Sequence, residues 1–277
     1  MWMVSWVGWD GVWCIAEGED SPYLGRMKRL LLLCAWLTVA VMAQGQTDRD
    51  IGNVSVRAPH VGLVLGTMAP QGDWGSRYAR FGEIGLMAGL KTESNGYVYV
   101  KATSWSGADV KLIGLLSNLT TDQGFIIDNE GDVAQITVTG RGGQFGAGVG
   151  RIFPTANGNP NSGWMVKLGV GSLHHNVHFD YTENRIGPLE GDRVKGYDRM
   201  RWGAYGEFWV GYWLMSDDQR INAFAGLHTG LARTHALRAV NFDTLEPNAD
   251  LVWDGWLGLE AGWVFQIYRR AQKEFWY

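Results

Sequence analysis

The sequence predicts an all-β protein: an eight-stranded antiparallel up-and-down transmembrane β-barrel. Three observations carry that prediction. Apolar and polar or small residues alternate with period two, in runs long enough to cross a bilayer as tilted strands of about 9–11 residues. Short connections alternate with longer ones, and aromatic residues recur near the ends of the runs.

The clearest pair of runs lies between Arg201 and Leu231. Trp202, Ala204, Gly206, Phe208, Val210, Tyr212 and Leu214 share one face, opposite Arg201, Gly203, Tyr205, Glu207, Trp209 and Trp213. After the polar break Asp217-Asp218-Gln219-Arg220, a second run sets Ile221, Ala223, Ala225, Leu227, Thr229 and Leu231 against Asn222, Phe224, Gly226, His228 and Gly230. Alternation of this length marks strands rather than helices.

The earlier chain reads in the same way. Residues 60–70 form a first strand, followed by a loop holding Gly72-Asp73-Trp74-Gly75. A second strand spans 81–92 and a third 97–105, joined by Ser94-Asn95-Gly96, a strong hairpin signal. The long segment 106–140 follows, with room for a short helix over 108–119. A fourth strand spans 143–154, with Phe145, Ala147 and Val149 alternating through a glycine-rich stretch that is no phosphate loop. A fifth spans 164–179, and the polar loop 182–199 leads to the pair at 201–214 and 221–231. The eighth strand, 251–268, sets Trp253, Leu257, Leu259, Ala261, Trp263, Phe265 and Ile267 against Asp254, Gly258, Glu260 and Gln266. Tight connections after strands two and six, with long ones after three and five, fit a bacterial barrel whose two ends are periplasmic.

Composition narrows the function classes. The 277 residues include 39 Gly and 15 Trp, with 19% charged residues and a net charge of −4, which is no footprint for nucleic acid. Met27 opens a secretory signal: Lys28-Arg29, an apolar run over 30–43, and small residues at Ala43-Gln44-Gly45. Residues 1–26, rich in Trp, make no sense before such a signal and read as an upstream extension from a start assigned too early. The expected organisation is therefore 27–45 signal peptide, 46–59 periplasmic lead and 60–277 barrel. Cys14 and Cys34 both precede the mature domain, which has no disulfide, thiol nucleophile or cysteine metal site.

Alternation alone also suits a soluble barrel with an apolar interior. The sparse charge on the second face favours lipid outside. So do the aromatics at strand ends (Trp105, Trp164, Tyr212, Trp253, Tyr268), and so does the need of every backbone group in lipid for a partner.

Four pieces resemble a small outer-membrane β-barrel family of Bacteroidota, mostly uncharacterised proteins: Asn159-Pro160-Asn161-Ser162-Gly163, Lys195-Gly196-Tyr197-Asp198-Arg199, Asn241-Phe242-Asp243-Thr244, and the closing stretch from Gly262-Trp263 through Tyr268-Arg269-Arg270 to Phe275-Trp276-Tyr277. The resemblance covers roughly residues 61–277. It implies an outer-membrane location and brings no activity. The terminal aromatic resembles the signal read by barrel-assembly machinery.

The expected interior charges are Glu83, Lys101, Lys167, Arg201, Glu207, His228, Asp254 and Glu260, which must be paired or hydrated. They suit a structural ion-pair core or a narrow gated channel. Ser172 and His174 share a strand face as nucleophile and base types without an acid, a weak catalytic pair. His174 and His178 share that face too and are weak metal candidates at the outer rim. No cofactor is expected. The expected partners are outer-membrane lipid and lipopolysaccharide, the assembly machinery, and an envelope or secretion protein.

Overall fold

The structure is a computed structural model, and it describes residues 53–107, 109–156, 158–181, 185–217, 221–245, 247 and 251–267. Period-two segments become eight strands: β1 (Ala58–Gln71), β2 (Phe81–Lys91), β3 (Gly96–Gly107), β4 (Thr137–Pro154), β5 (Gly163–Asp180), β6 (Arg201–Met215), β7 (Asn222–Ala236) and β8 (Leu251–Gln266). Each pairs antiparallel with the next, and β8 returns to pair with β1. The register places Lys167 opposite Trp209, Trp209 opposite His228, and His228 opposite Gly258. The signal, the upstream extension and the closing residues from Tyr268 lie outside the described residues.

One rim, the turn end, carries the β2–β3, β4–β5 and β6–β7 connections and the incoming chain. The other, the loop end, carries the connections that follow β1, β3, β5 and β7. Strand parity decides which side chains enter the ring. Interior glycines make room for large rings: a Cβ on Gly230 would approach the Trp256 indole to 2.2 Å, and one on Gly148 the Tyr99 ring to 2.7 Å. Outward positions are apolar and exposed, among them Leu65, Leu86, Val170 and Leu231. Aromatics flank this band on the outer face, Trp202 and Trp253 toward the loops and Trp164 and Tyr212 toward the turns, the last two meeting edge to face at 6.1 Å.

Four expectations are corrected. Trp105 faces inward and is 1% exposed, because its parity is that of Tyr97, Tyr99 and Lys101. In the described part of 108–119 only a 3-10 turn forms, Ser117–Leu119, where Gly114 and Leu116 at positive φ interrupt any longer helix. Helix α1 (Gly72–Arg77) forms instead in the segment read as a simple loop, steadied by an Asp73–Arg77 ion pair of 2.8 Å. Strand β4 also begins earlier than residue 143, since Thr137 to Gly142 continue the ladder with Asp180 to His175.

The resembling motifs act as ties at the two rims. At the turn end Asn159 Nδ2 donates to Met215 O (2.8 Å), and the amide N–H of Met215 donates to Ser162 Oγ (2.8 Å). Asn161 holds the incoming chain: its Oδ1 accepts from Val56 N–H (2.9 Å) and Lys91 Nζ (2.8 Å), and its Nδ2 donates to Val54 O (2.9 Å). At the loop end Arg199 clasps Asp243 with bonds of 2.7 and 2.8 Å, and Arg238 clasps Asp198 at 3.1 and 2.7 Å. Bonding to Asp198 raises the Arg238 guanidinium above its ordinary pKa. Gly196 lies under the Phe242 ring, where a Cβ would come within 2.1 Å.

An Asp198→Asn variant is therefore expected to loosen the connections at the loop end by about 1–2 kcal/mol while leaving the ring intact. Hydrogen exchange should accelerate over 185–200 and 237–245 and not in β1–β8. Unchanged protection in those loops would remove the clasp from the account.

Candidate functional site

The interior is filled in three layers, and the middle one gathers the charges. Lys101 Nζ lies 2.7 Å from Glu260 Oε2 and 3.0 Å from Glu207, while Lys167 Nζ lies 3.0 Å from Glu260 Oε1. Tyr99 donates its hydroxyl to Glu207 at 3.1 Å. Lys167 also sits over the rings of Trp209 (4.2 Å), Phe224 (4.7 Å) and Tyr99 (5.3 Å), which spreads its charge over aromatic faces. Glu83 accepts from the Gln144 amide at 3.3 Å. Charges taken this far from water persist only with partners at such distances.

Glu83, His228 and Glu260 bring three potential ligand atoms within 4.8 Å of one another. Their bonding does not suit a metal. Trp256 Nε1, which can only donate, points at His228 Nδ1 at 3.3 Å, so the imidazole proton resides on Nε2, the atom nearest Glu83. Both oxygens of Glu260 are already held by lysines.

Toward the loop end a second set joins Asp254, His175, Thr234 and Arg201. His175 Nε2 lies 3.3 Å from Asp254 Oδ2, Thr234 donates its hydroxyl to the same oxygen, and Arg201 Nε donates to Thr234 Oγ1 at 3.1 Å. Helix α1 closes this end by driving Trp74 into the mouth. Its indole stacks on His175 (5.1 Å, 19°) and packs against Trp105, Phe81 and Trp256. At the turn end His60, Tyr97 and Trp213 fill the lumen. His60 donates from Nδ1 to Ala58 O (3.1 Å) and accepts from the Tyr97 hydroxyl at Nε2 (2.8 Å).

All eight charges expected inside are buried there: Lys101, Lys167, Glu207 and Glu260 in one network, Arg201 and Asp254 in the second, with Glu83 and His228 beside the first. Among the described residues the buried cationic or imidazole groups His60, Lys91 and His175 lie outside the expected set. Lys91 shares the parity of Glu83 and His175 that of Lys167, so the strand pattern carried the signal for these two, whereas the sequence assigns no side to residues 60–70 and His60 had no such marker. Ser172, His174 and His178 alternate with His175 and point to the outer face of β5, away from the interior networks.

No protein-family model matches the chain, and no curated protein matches it. Among solved structures the chain is similar to Ail, the attachment invasion locus protein of Yersinia pestis, crystallised with the heparin analogue sucrose octasulfate (9% identity, TM-score 0.39, 76% of this chain and 99% of that one). It is also similar to the outer membrane protein OprG from Pseudomonas aeruginosa (11% identity, TM-score 0.32, 79% and 99%).

Proposed function

We propose that this protein is an outer-membrane β-barrel acting as a structural or interaction scaffold of the bacterial envelope, with its loops outside and its turn end periplasmic. One observation carries the membrane reading: the exposed apolar band is bounded by aromatics at a membrane's spacing. From Trp202 to Tyr212 the strand climbs ~34 Å, which at a tilt near ~40° is ~26 Å of depth, against the ~25 Å apolar band of outer-membrane barrels. A water-facing surface would not hold Leu86, Val170 and Leu231 each more than 60% exposed in one continuous face.

The scaffold reading rests on the filled lumen. Ion networks occupy the middle, Trp74 fills one mouth, and His60 with Trp213 fills the other, as expected where eight strands leave space for side chains alone. This argues against the channel alternative. The lipid-modifying enzyme fares no better, since Ser172 and His174 face the apolar band rather than an acid. A scaffold works through its rims, and the clasped loops offer a fixed outer surface to an envelope or secretion partner. Resemblance to barrels of Bacteroidota supports the same placement, as does the signal-like sequence over residues 27–45.

Purified protein folded into liposomes is expected to resist carbonate extraction and to pass no measurable ion current. Steady single-channel conductance would replace the scaffold by the channel, and recovery of the processed chain as a detergent-free soluble monomer would overturn the membrane placement. Co-purification of a stable partner from native membranes would support the scaffold directly.

A further inference from the structure

The connection between β3 and β4 carries a small hairpin at the loop end, outside the ladder of the ring. Ile127 faces Val133 in an antiparallel bridge, and Ala134 donates its N–H to Ile126 O at 2.8 Å. Ile126 and Ala134 turn inward and pack against the core cluster that holds Trp74 and Tyr197. Period two then turns Phe125 and Ile127 outward. Val133, directly opposite Ile127, joins them, and the three are 48%, 43% and 55% exposed.

The hairpin is held in shape at its tip and its base. Asp128 Oδ1 accepts the N–H groups of Glu130 and Asp132, both at 2.9 Å, and Gly131 closes the turn at a φ of 95°. Asn129 ties the tip to the connection that follows β5: its N–H donates to Arg185 O at 2.8 Å, and its Oδ1 accepts from Gly187 N–H at 3.1 Å. At the base Thr121 donates its N–H to Phe125 O at 2.8 Å. The charge of this segment is of one sign. Residues 112–140 include Asp122, Asp128, Glu130 and Asp132 and no Lys or Arg. Among the described residues Asp122, Glu130 and Asp132 form no ion pair.

We infer that Phe125, Ile127 and Val133 are the contact point for a protein partner that presents an apolar patch bordered by lysine or arginine. The inference rests on the scaffold reading proposed above, with the loops outside, and names the surface and the chemistry of its partner. Ile126 and Ala134 anchor the hairpin, so its fold does not call for large apolar groups on the opposite face. Such groups gathered in one exposed patch mark an interaction site. The acids decide what covers it. They repel anionic headgroups and anionic saccharides, and they steer a basic rim into place. Aliphatic Ile127 and Val133 offer a sugar no hydrogen bond. The bonds at tip and base fix the patch before the partner arrives, which lowers the ordering cost of binding.

Folded protein in phosphatidylcholine nanodiscs can be titrated with three synthetic peptides of equal length, alternating Lys with Leu, Lys with Ser, and Glu with Leu, against empty nanodiscs as blank. The Lys–Leu peptide is expected to bind about tenfold more tightly than either of the others. Phe125→Ser with Ile127→Ser should bring it down to the level of the Lys–Ser peptide. Glu130→Gln with Asp132→Asn should weaken it about fivefold, the scale of two exposed charge pairs. Leu245→Ser, at a 78% exposed leucine on the connection that follows β7, should leave it unchanged. Equal binding of Lys–Ser would reduce the site to charge alone, equal binding of Glu–Leu to apolar adhesion alone, and either overturns the inference. Equal loss in the Leu245 variant does so too. Amide exchange at Asn129 and Ala134 checks that each variant keeps the hairpin; should the serine pair lose it, the Glu130 and Asp132 variant, which removes no printed bond of the hairpin, decides. Conductance or recovery as a soluble monomer would sink the scaffold reading itself, whereas lost peptide discrimination in an intact, non-conducting barrel sinks only this surface.

Discussion

Replacing Glu260 by alanine is expected to cost about 3–5 kcal/mol of folding stability, the scale for breaking a buried ion pair on one side. Glu260 is the carboxylate that Lys101 and Lys167 share, at 2.7 and 3.0 Å, and all three side chains are at most 2% exposed. Without it Lys101 keeps Glu207, but Lys167 keeps only the rings of Trp209, Phe224 and Tyr99. A buried ammonium with no counter-charge must be hydrated by distorting the lumen or must lose its proton. Adding Lys167→Met to Glu260→Ala removes the orphaned charge and should recover part of the loss, and the double-mutant cycle gives the coupling. Guanidinium unfolding of the vesicle-embedded protein measures it. A loss below about 1 kcal/mol, with no recovery in the double variant, would show that the network contributes little.

Trp74→Ala should destabilise by a similar amount, about 3–5 kcal/mol, through lost transfer energy and the space left behind. Trp74 is fully buried although it belongs to a six-residue helix on the rim. Its ring covers His175, which faces Asp254, so its removal also opens a path for water to that pair. Amide exchange over 251–256 in β8 should accelerate more than exchange at the turn end. Wild-type denaturant resistance in this variant would mean that the plug is ornamental and that other loop residues, such as Leu189 and Tyr197, seal the mouth.

The two predictions differ in how much of their basis was legible in the sequence. Glu260 declares its side because Leu257, Leu259 and Ala261 alternate around it, and a closed ring then forces it inward. The same parity places His175 inside with Lys167, while His174 and His178 take the opposite parity on the outer face. Trp74 could not be placed in this way. Its segment, Gly-Asp-Trp-Gly-Ser-Arg, has two glycines and little helix propensity, and it becomes helical because the mouth of the barrel accepts the indole. The loop clasps were hidden for a related reason: Arg199 and Asp243 lie 44 positions apart, and no local pattern announces such a pair. Strand sides follow from the residues next door, whereas bonds across the lumen and between loops depend on the closed ring.

The seam between β1 and β8 joins His60 to Gln266, residues from opposite limits of the described chain. A chain lacking β8 therefore presents two raw edges, and the cylinder closes only when β8 docks on β1. Since Ile267 donates its N–H to Pro59 O at 2.7 Å, entry and exit stand side by side. A permuted chain, spliced across that gap and opened between Ser94 and Asn95, would retain every rung of the ladder while making β3 the first strand synthesised.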